Sequence, residues 1–334
     1  MSVGLSIRFD LRAPGLEGDA LTDFYGAALD MCEWADRLGF QMVTLSEHHG
    51  SEDGYLPSSV VMAAAIAART ESMRINIWAI PAAFHDPLRL AEDLAVADII
   101  SGGRMGVAIT GGYVPSEFEM FGRQLAERPK AVAETIDTLR HAFTGERFEF
   151  RGRTAQVLPR PIQRPGPPIL MGGASPPAAR RAARIADGFV PSMPELWDDY
   201  RAALVEAGKP DPGPMPPRGQ AFHHISHDPE KAWARIAPYC IHEVTSYARW
   251  NAGSGAVMDY SSGEDAPVPD LDADSVRAMG IYPVFTPKEA AAECRRLGDQ
   301  GTFTLHPLCG GLPPEIAWES LRLFEDEVLP QLAG

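Results

Sequence analysis

Val43-Thr44-Leu45-Ser46-Glu47-His48-His49-Gly50 decides how the rest of the chain is read. Its first half, with Phe40 and Met42 before it, is apolar and β-prone and follows a helix stop at Gly39, so it reads as a buried strand. The strand then breaks into a carboxylate and two imidazoles. Such groups are costly to bury at the end of a core strand, which places them at a cleft. In a parallel α/β protein, ligands sit at the carboxyl ends of the strands. The plainer alternative is that Glu47 and one histidine only cap the next helix.

The same alternation recurs on both sides of this stretch. Strand patterns fall at 5–9, 41–45, 74–79, 105–109, 168–171, 188–190, 220–226 and 302–305. Helical spacing fills 21–38, 57–68, 87–100, 126–143, 176–186, 195–207, 230–250, 287–297 and 313–329. A hairpin is expected around Arg151-Gly152-Arg153. Eight strands alternating with helices predict an α/β fold, a single (β/α)8 TIM barrel spanning 1–334. An open doubly wound sheet is the rival, but Arg12-Ala13-Pro14-Gly15 after the first strand is not the glycine turn such a sheet uses. Residues 251–284 hold Gly, Ser, Asp and Pro without period, and are expected to form an insertion after the seventh strand that acts as a lid.

Composition narrows the partners. The 334 residues are 45% hydrophobic, enough for a sizeable core. A net charge of −15 argues against nucleic acid and anionic membranes. Cys32, Cys240, Cys294 and Cys309 form no Cys-x-x-Cys, so reduced thiols in the cytoplasm are expected, with no disulfide frame. The start reads directly into a strand, without signal-peptide pattern, and no apolar run is long enough to span a membrane.

The chain lacks a phosphate-binding Walker loop, a Gly-x-Ser-x-Gly elbow and a His-Glu-x-x-His helix. Two glycine-rich turns remain. Gly172-Gly173-Ala174-Ser175 joins a strand to a helix, where small residues, backbone N–H groups and the helix dipole suit an anion. Thr110-Gly111-Gly112 follows another strand. Either could equally be an ordinary tight turn. His223-His224 suggests a metal only weakly, because adjacent strand residues point to opposite faces, and no metal is expected.

Glu47-His48-His49, Gly103-Arg104-Met105-Gly106-Val107, Gly112-Tyr113-Val114-Pro115-Ser116-Glu117-Phe118 with Phe121-Gly122, and Gly172-Gly173-Ala174-Ser175 together resemble the luciferase-like flavin monooxygenases. The resemblance runs from the first strand to about Val190 and returns near Thr302 to Leu329. It implies a TIM barrel that binds reduced FMN or, in some branches, a deazaflavin coenzyme. It maps the catalytic histidine to His48. Trp78 and Ala79 would back the flavin ring, often through a cis peptide in this family, and Thr110 would lie near its reactive edge. Gly111 and Gly172, Gly173, Ala174 and Ser175 would hold the phosphate. Glu47, His49 and His223 are candidate substrate contacts. One departure stands out: many relatives carry Arg where this chain has Gly111, so a cation that pairs with phosphate is missing at that position.

The function so implied is oxidation of a small organic substrate by oxygen and FMNH2, the latter supplied by a separate reductase. The alternatives are a deazaflavin-dependent dehydrogenase, for which Arg180, Arg181 and Arg184 are available, and a flavin-binding protein without turnover. The resemblance also implies a homodimer.

Overall fold

In the computed structural model, which describes residues 3–251 and 270–332, the chain runs β1 (Gly4–Phe9), α1 (Gly18–Arg37), β2 (Met42–Leu45), α2 (Ser59–Arg69), β3 (Arg74–Pro81), α3 (Pro87–Ile100), β4 (Met105–Thr110), α4 (Pro115–Met120), α5 (Arg128–Phe143), β5 (Phe148–Phe150), β6 (Arg153–Ala155), β7 (Ile169–Gly173), α6 (Pro176–Ile185), β8 (Gly188–Pro191), α7 (Leu196–Glu206), β9 (His224–Ile225), α8 (Pro229–Asn251), α9 (Ala273–Ala278), β10 (Val284–Phe285), α10 (Pro287–Leu297), β11 (Thr302–Leu305) and α11 (Pro314–Leu323).

Seven strands form one curled parallel sheet in the order β11-β1-β2-β3-β4-β7-β8. Parallel strands covered by helices are buried on both faces, and β4 shows the consequence: Met105 to Ile109 are all buried. The helices begin where local chemistry starts them. Asp86 caps α3 by accepting from Leu88 N and Arg89 N, with Pro87 at the first helical position. Thr286 and Glu289 form a capping box on α10. Gly39, at φ 79°, takes the left-handed turn that ends α1. β5 and β6 pair antiparallel around Arg151 and Gly152, both at positive φ, as a two-residue hairpin requires.

One sequence expectation needs correction. The seventh strand is only His224–Ile225, and it pairs in parallel with Val284–Phe285, not with the main sheet. The chain does touch β11 just before it: Gly219 N donates to Thr302 O at 3.1 Å. That approach is so close that a Cβ on Gly219 would lie 2.8 Å from the same oxygen. The chain then turns away, because His224 N and Ser226 N bond to Pro283 O and Phe285 O. Most of the expected insertion at 251–284 is not described by the structure. Its last part carries α9 and ends in β10, while 252–269 lie outside the described residues.

Candidate active site

The carboxyl ends of β2, β3, β4, β7 and β8 meet at a cavity of about 490 Å³. Of the residues expected at a site, Glu47, His48, Trp78, Ala79, Thr110, Gly111, Gly172, Gly173, Ala174 and Ser175 all line it. The convergence follows from the topology, since neighbouring parallel strands deliver their exits to one rim.

His48 and His49 leave β2 in different directions. His48 Nδ1 lies 2.8 Å from Glu117 Oε1, and Glu117 is only 2% exposed. The same oxygen accepts from His49 N at 2.8 Å. Paired with a carboxylate oxygen, the neutral imidazole carries its proton on Nδ1 and presents Nε2 as the acceptor. The imidazole stacks on Trp250 at 4.2 Å and meets the rings of Tyr55, Tyr113 and Tyr247 edge-on. The His49 ring turns to Glu47, with Nε2 3.2 Å from Oε1, and packs against Phe84 and Phe121.

Glu47 does not face a substrate freely. Its Oε1 also meets His85 Nε2 at 2.6 Å, and its Oε2 accepts from the hydroxyl and N–H of Ser59. Burial alone would raise this carboxyl. Hydrogen bonds from His49, His85 and Ser59 outweigh it and hold the group at about 2. Glu47, His49 and His85 thus form one hydrogen-bonded cluster, of which Glu47 reaches the cavity lining and the two histidines do not. His223 is elsewhere: its Nδ1 donates to Thr304 O at 2.7 Å, its ring stacks on Phe303, and it does not line the cavity.

The Trp78–Ala79 peptide is cis, and the β3–β4 register shifts there, with Trp78 opposite Ala108 and Ile80 opposite Ile109. Two cavity-lining residues carry buried donors with no hydrogen-bond partner among the described residues: Trp78 Nε1 and Tyr113 Oη.

The glycine-rich rim differs from the sequence expectation in its donors. Ser175 caps α6, with Oγ accepting from Ala178 N at 3.4 Å. The first two helical residues are Pro176 and Pro177, which carry no N–H. The rim instead offers N–H groups before the helix, the Ser175 hydroxyl, and the side chains of Arg128 and Arg181, which both line the cavity. Arg128 explains Gly111: a Cβ at 111 would fall 2.9 Å from Arg128 Cβ. The space that a side chain at 111 would occupy is filled by an arginine from the start of α5. Gly173 is equally constrained, since a Cβ there would lie 2.6 Å from Ala178 Cβ. Small residues, two arginines and a hydroxyl at one end, with a flat aromatic wall beyond, fit a phosphate-bearing ring cofactor.

A family model described as luciferase-like monooxygenase matches residues 1–302. The chain belongs to the luciferase-like monooxygenases. It is 28% identical over 196 residues to the FMNH2-dependent dimethylsulfone monooxygenase of Pseudomonas putida, covering 53% of each chain. It is 28% identical over 159 residues to the oxygenase component of the flavin-dependent trigonelline monooxygenase of Acinetobacter baylyi, covering 46% of this chain and 44% of that one. The chain spans about half the length of the curated relatives it matches. The crystal structure of monooxygenase RslO1 from Streptomyces bottropensis superposes with a TM-score of 0.75 at 28% identity, covering 98% of this chain and 99% of that one.

Glu117, Arg128 and Tyr113 had no assigned role at the sequence level. Glu117 and Tyr113 stand within the quoted family motif, but nothing local in that motif shows that it folds back onto His48, 69 residues earlier.

Proposed function

We propose that this luciferase-like chain is the oxygenase of a two-component system, using reduced FMN from a separate reductase and oxygen to oxidise a small organic molecule. The observation that carries the reading is His48, held by the buried Glu117, in the same cavity as the Gly172–Ser175 rim. The names of the Pseudomonas and Acinetobacter relatives support the flavin and the oxygenase role.

In this reading Arg128, Arg181, Ser175 and the N–H groups of the rim hold the phosphate, and Trp78 and Ala79 lie against the ring. Reduced flavin supplies the electrons that activate oxygen, one atom going to the substrate and one to water. His48 holds or accepts a proton at Nε2, Glu117 fixes its tautomer and orientation, and the ring cluster of Tyr55, Tyr113, Tyr247 and Trp250 keeps water from that end. The deazaflavin reading has less support: Arg180 pairs with Asp199 at 3.6 Å, and of its three arginines only Arg181 lines the cavity.

The finer architecture belongs to the same proposal: one (β/α)8 domain in which β9 and β10 stand at the eighth position between β8 and β11. A homodimer is proposed through α2 and α3, which pack side by side and expose Val61, Val96 and Ile100. The four cysteines are buried and free, in keeping with a cytoplasmic setting. No helix among the described residues is long and apolar enough to cross a membrane.

The test is titration of the purified protein with FMN and FMNH2, followed by oxygen uptake with a flavin reductase and NADH. Saturable binding of either flavin is expected; its absence for both rejects the proposal.

A further inference from the structure

The cavity has two chemically different ends. Gly111 and the Gly172–Ser175 rim gather Arg128 and Arg181, and these are the lysine or arginine side chains that line it among the described residues. The other end is aromatic. Tyr55, Tyr113 and Tyr247 surround His48, with ring centroids 4.9, 5.5 and 6.3 Å away.

Behind this end lies a buried cation that is already neutralised. Arg12 pairs with Asp53 and Asp10, and its guanidinium rests 4.7 Å and 4.9 Å from the ring centres of Tyr55 and Tyr247. It is buried and does not reach the cavity lining. The acidic residues on the lining at this end are Glu47 and Glu117, whose carboxylates are engaged by His49, His85 and Ser59 and by His48 and His49 N. An anionic group placed beside His48 would therefore lie near two acidic residues and no unengaged arginine among the described residues, and burying such a charge is strongly unfavourable.

The hydroxyls are not equivalent. Tyr55 Oη and Tyr247 Oη bond to each other at 3.1 Å, and Tyr247 Oη also accepts from Arg8 at 3.3 Å. Tyr113 lines the cavity, and its buried Oη has no hydrogen-bond partner among the described residues. Burial, with Tyr247 and Glu117 nearby, keeps that phenol protonated, so it remains a donor. A buried donor without an acceptor is costly, and an occupant that supplies one removes the cost. The tyrosine rings, packed edge-on to the His48 imidazole, make this end of the lining aromatic, which favours a flat aromatic or unsaturated ring over a chain.

We infer that the His48 end of the cavity takes an uncharged ring compound through a carbonyl or hydroxyl oxygen, with Tyr113 as its hydrogen-bond donor. This names the substrate class and rests on the oxygenase reading of the cavity. It separates the molecule from an oxygenase for sulfonates or carboxylates, for whose charge no lysine or arginine lines this end among the described residues.

The test is equilibrium binding of 1-tetralone, tetralin and naphthalene-1-sulfonate, read by protein fluorescence with and without bound FMN. Wild-type protein should bind 1-tetralone at least tenfold more tightly than the sulfonate. Tyr113→Phe should weaken 1-tetralone by roughly fivefold, the worth of one neutral hydrogen bond, and leave tetralin unchanged. Equal or tighter binding of the sulfonate overturns the inference, and so does failure of all three probes to bind. An unchanged ratio of tetralone to tetralin in Tyr113→Phe also overturns it, as does loss of FMN affinity instead, which would give the hydroxyl to the cofactor. The wild-type comparison decides the matter even if the variant misfolds. FMN binding is titrated separately without probes, so a protein that prefers tetralone but binds no flavin rejects the oxygenase reading alone.

Discussion

His48 and His49 are neighbours in the chain and members of different hydrogen-bond systems, one ending on Glu117 and the other on Glu47. The first lies in the cavity wall and the second packs behind it. This gives a paired prediction. His48→Ala should lower coupled turnover on the order of a hundredfold or more, with hydrogen peroxide released in place of product. Glu117→Gln keeps an acceptor near Nδ1 but loses the charge, and should cost roughly tenfold in kcat while leaving KM for FMNH2 within about twofold. Full coupled turnover in both variants would leave His48 with no more than a packing role. The Glu-His-His motif was legible in the sequence because charged groups at the end of an apolar strand are conspicuous. Glu117 was not, because its partner is 69 residues away and only the fold brings them together.

At the scale of elements, the exchange between Gly111 and Arg128 shows how a motif position can be empty and its chemistry still present. The missing arginine was visible from sequence; its replacement from α5 was not, since no local pattern ties the start of one helix to the end of a distant strand. Gly111→Arg should collide with Arg128, because even its Cβ would lie 2.9 Å from that side chain, and should lower FMN affinity. Arg128→Gly should lower it too, by removing a charge-assisted bond of about 1.5–3 kcal/mol. The double variant should recover much of the loss, with coupling between the sites read from a double-mutant cycle of FMN dissociation constants. Additive losses would show that Arg128 does not stand in for residue 111. Helix limits were read well where Pro, Gly or a capping side chain marked them, as at Pro87 and Pro287. β9 and β10 were misread because each is two residues long, too short for an alternating pattern to register.

For the whole molecule, alternation of strand and helix was enough to give the parallel sheet, because seven of its strands are apolar runs at regular intervals. The pairing of the seventh pattern was not, since hydrogen-bond partners across a sheet leave no mark on composition. The same region sets the response to acid. His223 and His224 are buried, and burial lowers both to about 4 from the ordinary 6.5. The unfolded chain therefore takes up protons that the folded one refuses, so stability falls as pH drops from 6.5 toward 4, by on the order of 3 kcal/mol per histidine. Urea unfolding followed from pH 7 to 4.5 should show this slope, and His224→Phe should flatten it. A variant with the wild-type slope would place the acid sensitivity elsewhere.

The two prolines that open α6 have a kinetic consequence. A phosphate gripped by main-chain amides is held by dipoles fixed in the fold; one gripped by Arg128 and Arg181 is held by half-exposed ions that dissolved salt competes for. The residence time of FMN should accordingly shorten as sodium chloride is raised from about 0.01 to 1 M, a range over which the screening length falls from roughly 30 to 3 Å. Pro177→Ala restores one main-chain donor at the helix start, and stopped-flow dissociation of FMN from that variant should depend less steeply on ionic strength. Parallel salt slopes in the two proteins would return the grip to groups that precede the helix.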